Sequence, residues 1–498
     1  MACTKVDTKP LPLAIIGRDT WSDIVDYRPG LAPQSNRKLF AWSVWGGHLH
    51  HNESEHGRAY ERVAVPSRRL AGIEGNEREH AQKRYVGRNL LDTHAAVMPG
   101  FQYTGWRMGN HPRQIDHDGL DVTLVERLKQ DLLLPVADLG PAIDLWTGLA
   151  VENPTSGRGA VLRRARAEQA AAEADRRSED ALCDEQRALL AVLNETPSNA
   201  PAGLVGRNAQ VALEVAATVG PKPGVTSSLR HGLRAMMDTR RLQYQPFTPY
   251  APSPHGRTVR VHPVVHPSVV SLRRQVRRAT LAGCLGFDLR NCQLACAGAA
   301  WGVVPLIDLL VRDGTAWNHL LGIVRRHHGG TEAEAKSALK TAIYALVFGM
   351  GRNGVRLSLG RALSFTAASA FENDPIVAAL FERRDEALAE IDAADGARDC
   401  FGVWYPVRPG RDREAECRSA LAATMQAQEL RLLLPVVEDA ARVAALHRPQ
   451  YRIVAWQHDG FYVKVRTDAD GVARRLASAV QREADRLGVP TGLDVERL

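Results

Sequence analysis

Cationic and aromatic residues recur at every fourth position within residues 332–351, EAEAKSALKTAIYALVFGMG. One slowly rotating face of the predicted amphipathic helix therefore carries Lys336, Lys340, Tyr344 and Phe348. Two ammonium groups one turn apart suit a polyphosphate, and an aromatic plane farther along suits a base or a sugar. The face could hold a nucleotide lengthwise, whereas a solvated lysine face that runs into core aromatics would have the same spacing.

The sequence also delimits this helix. Thr331 and Glu334 have the spacing of a capping box at its start, and Gly349 and Gly351 end it. A separate apolar stripe, available for packing, consists of Leu339, Ala342 and Leu346.

Two aspartates flank the helix along the chain. The segment 285–294, LGFDLRNCQL, reads as a short apolar strand that ends at Asp288. The segment 451–465, YRIVAWQHDGFYVKV, contains two apolar runs joined at His458 and Asp459, which predicts a hairpin with an acid at its tip. An Asp-Gly pair alone is common in turns, so the interpretation depends on the order of the segments: carboxylate strand, lysine and aromatic helix, carboxylate hairpin.

This order and its rough separations resemble the three motifs of family A (Pol I-like) nucleic acid polymerases, over about the C-terminal half of the chain. The resemblance implies an α+β fold with a right-hand architecture, in which an antiparallel-sheet palm carries helical fingers and a helical thumb. Asp288 and Asp459 fall on the metal-binding aspartates, which implies two Mg²⁺ ions as cofactors. The implied partners are a DNA primer-template and dNTPs.

The same resemblance implies roles for further residues. Lys336 and Lys340 fall on the basic pair that contacts the incoming triphosphate, and Lys340 is also placed to protonate the leaving pyrophosphate. Tyr344 falls on the aromatic residue that stacks near the new base. The residues expected to contact DNA are His458 beside the primer terminus, Arg257 in an element similar to Thr-Gly-Arg, Gln428 along the primer-template, and Arg277 near the phosphates.

His255 replaces the threonine of the Thr-Gly-Arg element, and three positions within the three motifs also depart from the family pattern. The motif A glutamate is Gln293, the helix tyrosine is Phe348, and the glutamate after His-Asp-Gly is Phe461. In the family the first two side chains lie together under the incoming sugar and exclude a 2′-hydroxyl. Phe348 has no hydroxyl, and the Gln293 amide can both donate to and accept from a 2′-hydroxyl. We therefore expect a preference for dNTPs with readier insertion of rNTPs than is usual, and restored stringency in Gln293→Glu with Phe348→Tyr.

Composition limits the class of protein. A chain of 498 residues with 45% hydrophobic and 24% charged residues is long enough for several domains and is neither disordered nor membranous. It contains no apolar run of the roughly 18–20 residues that span a bilayer. Seven scattered cysteines fit a reducing compartment, and the formal charge of +8 favours a polyanionic partner. Because the N-terminus lacks a signal-peptide pattern, we expect a cytoplasmic protein.

The resemblance divides the chain into five expected regions. These are an N-terminal region of uncertain role (1–100), a thumb (101–250), a first palm part (251–300), fingers with connecting helices (301–440) and a second palm part (441–498). The first region contains no Asp-x-Glu on an apolar strand, so we expect no active proofreading exonuclease. Its segment HLHHNESEH (48–56) could bind a transition metal or form an exposed polar loop. An arginine cluster in 157–196 fits either a thumb that grips phosphates or a solvated helix.

Periodicity predicts further elements. Residues 197–226 are expected to form a loop region with one short helix at 208–217, and 294–330 to be helical with one apolar segment at 301–317. Later amphipathic helices are expected at 371–392, at 421–446 and after the hairpin.

The expected activity is template-directed DNA polymerisation onto a primer 3′ end by two-metal nucleotidyl transfer, without proofreading. One alternative is a single-subunit-type RNA polymerase or primase, because His-Asp-Gly-Phe is close to that group's His-Asp-Ser-Phe. That group's Met-Thr in the central helix and its Ser-rich motif A are absent. Another alternative is a non-catalytic DNA-binding protein on a decayed polymerase fold, although decay should remove a metal-binding aspartate early and both are present.

Overall fold

The computed structural model describes residues 268–410 and 412–498 and shorter parts of the chain before them. Those parts are residues 15–27, 29–34, 37, 40, 62–65, 113–116, 122–135, 138–145, 148–151, 182–194, 199–220, 232, 235–236, 238–240, 242–243, 249–253, 258–264. The chain divides into two compact units. The first takes its described parts from residues 1–169, 198–248 and 265–282, and the second from 170–197, 249–264 and 283–498.

The strands are short and pair antiparallel. They are β1 (Ile15–Gly17), β2 (Arg62–Val65), β3 (Arg113–Asp116), β4 (Ala142–Asp144), β5 (Ala150–Val151), β6 (Tyr250–Pro252), β7 (Val261–Pro263), β8 (Leu285–Leu289), β9 (Gly396–Arg398), β10 (Trp404–Pro406), β11 (Tyr451–Gln457), β12 (Gly460–Val465) and β13 (Leu493–Arg497).

Helices account for most of the other residues that the structure describes. They are α1 (Arg18–Tyr27), α2 (Val122–Leu133), α3 (Asp184–Asn194), α4 (Asn199–Thr218), α5 (Arg274–Thr280), α6 (Cys292–Ala300), α7 (Val304–Asp313), α8 (Trp317–Arg325), α9 (Glu332–Val347), α10 (Arg352–Ala362), α11 (Phe365–Glu372), α12 (Pro375–Ala393), α13 (Arg413–Ala444) and α14 (Ala469–Leu487). None of the helices in the described part of the chain combines the length and the apolar character needed to cross a bilayer. The described part of the chain thus contains both β-strands and α-helices.

In the first unit, β1, β4 and β5 form a three-stranded sheet, and α4 packs against α5. The Asn208 amide donates to the carbonyls of Thr280 and Ala282 at 2.9 and 3.0 Å, which ties α4 to the end of α5. The helix predicted at 208–217 is present but longer, because α4 begins at Asn199, and the loop expected for the residues just before 208 is therefore wrong. Pro201 lies in the first turn, where its missing N–H removes no helical bond. The helix buries a stripe of Leu204, Val205, Ala209, Ala212, Leu213 and Ala216.

The second unit is built on a four-stranded sheet of order β11-β12-β8-β13. The predicted hairpin is confirmed: β11 and β12 pair antiparallel, with a register shift between Ile453 and Ala455, and are joined at His458 and Asp459. The strand at β8 is also confirmed and lies between β12 and β13. Helix α14 covers this sheet with buried Val472, Leu476, Val480 and Ala484, which recur every fourth residue.

Helix α9 begins as predicted. Thr331 Oγ1 accepts from the Glu334 N–H at 3.2 Å, and a Glu334 carboxylate oxygen accepts from the Thr331 N–H at 2.8 Å. The last helical residue is Val347, and the helix is terminated at Gly349, one of the two glycines predicted to end it. Gly349 has φ +89°, and the N–H groups of Gly349 and Met350 donate to Leu346 and Ala345 as in a Schellman motif.

Glycine and proline break two other predicted helices. Residues 294–330 are largely helical as predicted, but the apolar segment expected at 301–317 is interrupted, because Gly302 and Gly314 adopt φ of 63° and 66° on either side of α7. The helix predicted at 371–392 is the end of α11 followed by α12. Asp374 caps α12 by accepting from the N–H groups of Ile376 and Val377, and Pro375 is its first residue.

Candidate active site

The central sheet brings the two predicted aspartates to neighbouring positions. Gly460 pairs with Asp288 in the register of β12 and β8, and the Leu289 N–H donates to the Asp459 carbonyl at 2.8 Å. Asp288 is exposed and Asp459 is half-buried, so both side chains lie where solvent and a substrate can reach them. Residues 171 apart in the sequence thus meet at one edge of the hairpin.

Gly460 makes this approach possible. A Cβ built on Gly460 would lie 2.4 Å from the Phe287 carbonyl oxygen and 3.3 Å from the Asp288 Cα. A side chain at this position would push the hairpin away from β8, since backbone atoms cannot give way as a flexible side chain can.

We expect Gly460→Ala to lower the free energy of unfolding by about 1–3 kcal/mol, in the range of an overpacked core position. It should also displace Asp459 and reduce any activity that depends on both aspartates. Thermal unfolding measures the loss of stability. Gly322→Ala in α8 is the control, because Gly322 has no positive φ and no atom within 4 Å of a Cβ. A Gly460→Ala protein as stable and as active as the wild type would contradict the close-approach explanation.

The predicted face of α9 is present. Lys336 and Lys340 are exposed, and Tyr344 and Phe348 are half-buried with ring centroids 6.4 Å apart. Lys340 Nζ lies 5.3 Å from the Tyr344 ring centroid, and Lys336 Nζ lies 5.8 Å from the ring of Trp317. Each ammonium group is therefore held next to an aromatic plane, one helical turn from the other.

Tyr344 connects this face to the aspartates. Burial raises the pKa of its hydroxyl above the ordinary range, and the negative charges of Asp459 and Asp288 raise it further. The tyrosine hydroxyl therefore stays neutral and lies within the electrostatic field of both carboxylates.

A buried ion-pair cluster lies beside the carboxylates and was not predicted from the sequence. Glu429 on α13 is 1% exposed, and one of its oxygens accepts from Arg260 Nη2 at 2.6 Å and Nε at 3.0 Å. Its other oxygen accepts from the Gln293 amide N–H. Burial raises the pKa of the Glu429 carboxyl to about 7; Arg260 opposes this shift, and the charge of Asp459 adds to it. The ion-pair cluster consists of Arg260, Glu429 and Gln293.

The ion-pair cluster also reaches the aromatic end of α9. The Arg260 guanidinium carbon lies 5.9 Å from the Phe348 ring centroid. Thr258 donates to Gln426 on α13 and accepts from the Arg260 N–H at 3.1 Å, which fixes the segment that carries the arginine. The two positions expected under a sugar, Gln293 and Phe348, are thus joined through Arg260 and Glu429.

His458 lies against a second histidine. Its ring is 5.0 Å from that of His262, in an edge arrangement. Burial lowers the pKa of His458 to about 3, and the positive charges of Arg260 and His262 add to that effect. The imidazole is therefore neutral at physiological pH and offers a nucleic acid hydrogen bonds or ring contacts instead of a positive charge.

The remaining predicted DNA contacts stay predictions. Arg257 lies outside the described residues. Arg277 belongs to the first unit, where its guanidinium donates to the Val270 and Leu272 carbonyls at 3.1 and 3.3 Å. Gln428 is half-buried on α13, next to Glu429. The segment HLHHNESEH (48–56) and the arginine cluster at 163–166 also lie outside the described residues.

The donor set suits Mg²⁺ that binds together with a substrate. Within the described ranges, no group of three or more His, Cys, Asp or Glu residues could hold a metal ion by itself. Mg²⁺ prefers hard oxygen ligands and is often bound by one or two carboxylates, with water and substrate phosphates in its other positions. Asp288 and Asp459 fit that pattern.

One sequence signal could have found the buried carboxylate. Glu429 follows Met425 by four residues and precedes Leu432 and Leu433 by three and four, so it lies on the apolar stripe of its helix. An acid at such a position must find a partner or lose its charge. Arg260 gives no comparable signal, because it merely alternates with the buried Val259 and Val261.

Among solved structures, the chain is similar to one described as the POL domain of Pol1 from M. smegmatis in complex with DNA primer-template and dNTP. The sequence identity is 14%, the match covers 75% of this chain and 72% of that chain, and the TM-score is 0.41. No protein-family model matches the chain, and neither does any curated protein. A likeness at that identity and TM-score does not assign the chain to a family.

Proposed function

We propose that the chain is a template-directed DNA polymerase that adds deoxynucleotides to a primer 3′ end by two-metal nucleotidyl transfer and lacks proofreading. One observation supports this above all. The register of β8 and β12 sets Asp288 beside Asp459, and Tyr344, on the face with Lys336 and Lys340, lies in the field of both. Carboxylates for metal ions, cations for phosphates and an aromatic plane for a base are the groups that nucleotidyl transfer requires.

Each group has a distinct part in the proposed reaction. Asp288 and Asp459 would hold two Mg²⁺ ions, which activate the primer hydroxyl and neutralise charge on the leaving pyrophosphate. Lys336 and Lys340 neutralise the β and γ phosphates, and Lys340 donates a proton to pyrophosphate as it leaves. Tyr344, kept neutral by burial and by the two carboxylates, offers its ring to the new base pair.

The architecture belongs to the same proposal. The four-stranded sheet corresponds to the palm of a right-hand, family A-like polymerase, and α9 with the helices around it to the fingers. The residues proposed to contact the primer-template are Arg257, Arg277, Gln428 and His458, the last through its neutral imidazole.

Primer extension tests the proposal against its alternatives. DNA-primed and RNA-primed templates are incubated with Mg²⁺ and either dNTPs or rNTPs, and products are resolved at single-nucleotide length. Efficient extension with dNTPs is the expected result. Extension with rNTPs alone would indicate an RNA polymerase or primase, and template binding without extension would indicate a non-catalytic DNA-binding protein.

We expect no 3′→5′ exonuclease activity, because residues 1–100 contain no carboxylate pair of the Asp-x-Glu type on an apolar strand. A labelled primer with a mismatched 3′ end should keep its length when it is incubated with Mg²⁺ and no dNTP. Stepwise shortening that persists through successive purification steps would contradict this expectation.

A further inference from the structure

Helix α12 buries one arginine whose charge the proposed reaction does not use. Arg384 is 2% exposed, whereas arginine is almost never so deeply buried unless it is paired. Its carboxylate partner is Asp385, the next residue along the helix, whose side chain is 60% exposed. An ion pair with so exposed a carboxylate contributes little to stability and does not require the arginine to be buried. The burial of Arg384 therefore needs another explanation.

The guanidinium also contacts the backbone that follows α9. The link between α9 and α10 consists of residues 348–351, and Arg384 Nη1 donates to the carbonyl oxygen of Met350 within it. The Met350 N–H donates to the Ala345 carbonyl in the last turn of α9, at 2.8 Å. Met350 is thus bonded to α9 through its N–H and to α12 through its carbonyl. Because the donor is charged, the second hydrogen bond belongs to the stronger kind.

One aromatic ring on α12 contacts arginines from both sides of this bond. Phe381 is 1% exposed, and the Arg384 guanidinium carbon lies 5.0 Å from its ring centroid. The guanidinium carbon of Arg352, the first residue of α10, lies 4.7 Å from the same centroid. Helix α12 therefore holds the link at Met350 through Arg384 and at the start of α10 through Phe381.

The end of α9 is also packed against α13. A Cβ built on Gly349, which has φ +89°, would lie 2.8 Å from the Arg418 Cγ and 3.2 Å from its Cβ. The C-terminal end of α9 is thus bonded to α12 and in close contact with α13. Because a helix moves as one element, a shift at this end displaces the side chains along its face. A displacement of about 1 Å can cost about 10²-fold in rate when those side chains orient a reactant.

We propose that Arg384 is a positioning residue for the incoming triphosphate. Through the Met350 carbonyl it fixes the C-terminal end of α9, and with that end the orientation of the face that carries Lys336, Lys340 and Tyr344. This inference rests on the proposed function. Arg384 itself contacts no substrate, since it is buried between Phe381 and the link. A positive charge beside the C-terminal end of a helix also suits the helix dipole.

The first experiment measures kcat and KM for one dNTP in the wild type and in four variants. Arg384→Met keeps the apolar stem but removes the donors and the charge, and it should raise the KM for the dNTP by about tenfold. Arg384→Lys keeps the charge and should stay within about threefold of the wild-type KM. The controls are Asp385→Asn, which removes the exposed ion pair, and Arg383→Met at the neighbouring exposed arginine, which donates to Glu386 at 2.7 Å. Both should stay within about twofold of the wild-type KM.

The KM separates positioning from stability. A variant that merely unfolds in part lowers the apparent kcat and leaves the KM of the remaining folded enzyme unchanged. If Arg384→Met does not fold, Arg384→Gln takes its place, because its side chain is too short to reach the Met350 carbonyl from the same helical position. A wild-type KM in the folded variant would overturn the inference, and so would a KM in Asp385→Asn equal to that of Arg384→Met.

Hydrogen exchange without nucleotide tests the contact independently of any activity. In Arg384→Met the backbone amides of Gly349 and Met350 should exchange at least about tenfold faster than in the wild type, while that of Leu339, in the middle of α9, keeps its rate. Unchanged exchange at Gly349 and Met350 would overturn the inference and leave the polymerase intact. If the wild type extends no primer, the proposed function fails. In that case faster exchange would still support Arg384 as the residue that fixes the end of α9, and unchanged exchange would refute it.

Discussion

Asn in place of Asp288 or Asp459 is expected to lower nucleotide addition by at least about 10³-fold, equivalent to about 4 kcal/mol of transition-state stabilisation. The substitution keeps the shape of the side chain but removes the charge that holds a metal ion. Binding of the primer-template should persist, because contacts to phosphates dominate the affinity of proteins for DNA. Single-turnover extension and a binding titration at fixed salt measure the two quantities separately.

The sheet offers a matched control for this experiment. Asp494 on β13 pairs with Asp288 in register, on the side away from β12, and its carboxylate accepts from Arg290 Nε at 2.8 Å. Because an arginine already neutralises this carboxylate, Asp494→Asn should extend primers at a rate close to that of the wild type. Near-normal extension by either Asp288→Asn or Asp459→Asn would refute the polymerase assignment.

Local signals predicted the elements that carry the chemistry. Three predicted features depend on residues that are close in sequence, and all three are present. They are the capping box of Thr331 and Glu334, the apolar stripe through Leu339 and the hairpin around Asp459. One kind of failure came where a single residue redirected the backbone. Gly302 and Gly314 divided an apolar run into separate helices, because positive φ ends a helix whatever the hydrophobicity of the residues that follow.

Non-local pairing explains what the sequence did not predict. The strand β13 is short and polar on alternate residues, and it becomes a strand because β8 has a free edge to pair with. Arg260 and Glu429 are 169 residues apart, and no periodicity links them. The Gln293 amide could be recognised as a departure from a motif, but its orientation depends on a carboxylate from a different helix. The chemistry of the ion-pair cluster therefore became visible only with the fold.

Lys340→Ala is expected to reduce kcat/KM for dNTPs by about 10²-fold or more, with a lower kcat and a higher KM. The exposed ammonium group lies 5.3 Å from the Tyr344 ring, at the end of the cationic face nearer the aspartates. It is proposed both to bind the triphosphate and to protonate the leaving pyrophosphate. Thr341→Ala, at the next exposed position of α9, controls for changes in the helix itself.

Lys340→Arg separates the two roles, since arginine keeps the positive charge but does not give up a proton in proteins. If Lys340 acts as a general acid, Lys340→Arg should retain a KM for dNTPs close to that of the wild type and lose kcat by about 10²-fold. If the residue only neutralises charge, Lys340→Arg should recover most of the activity that Lys340→Ala loses, and the acid role would be excluded. Equal activity of Lys340→Ala and the wild type would remove Lys340 from the site altogether, and with it the proposal that α9 binds the triphosphate.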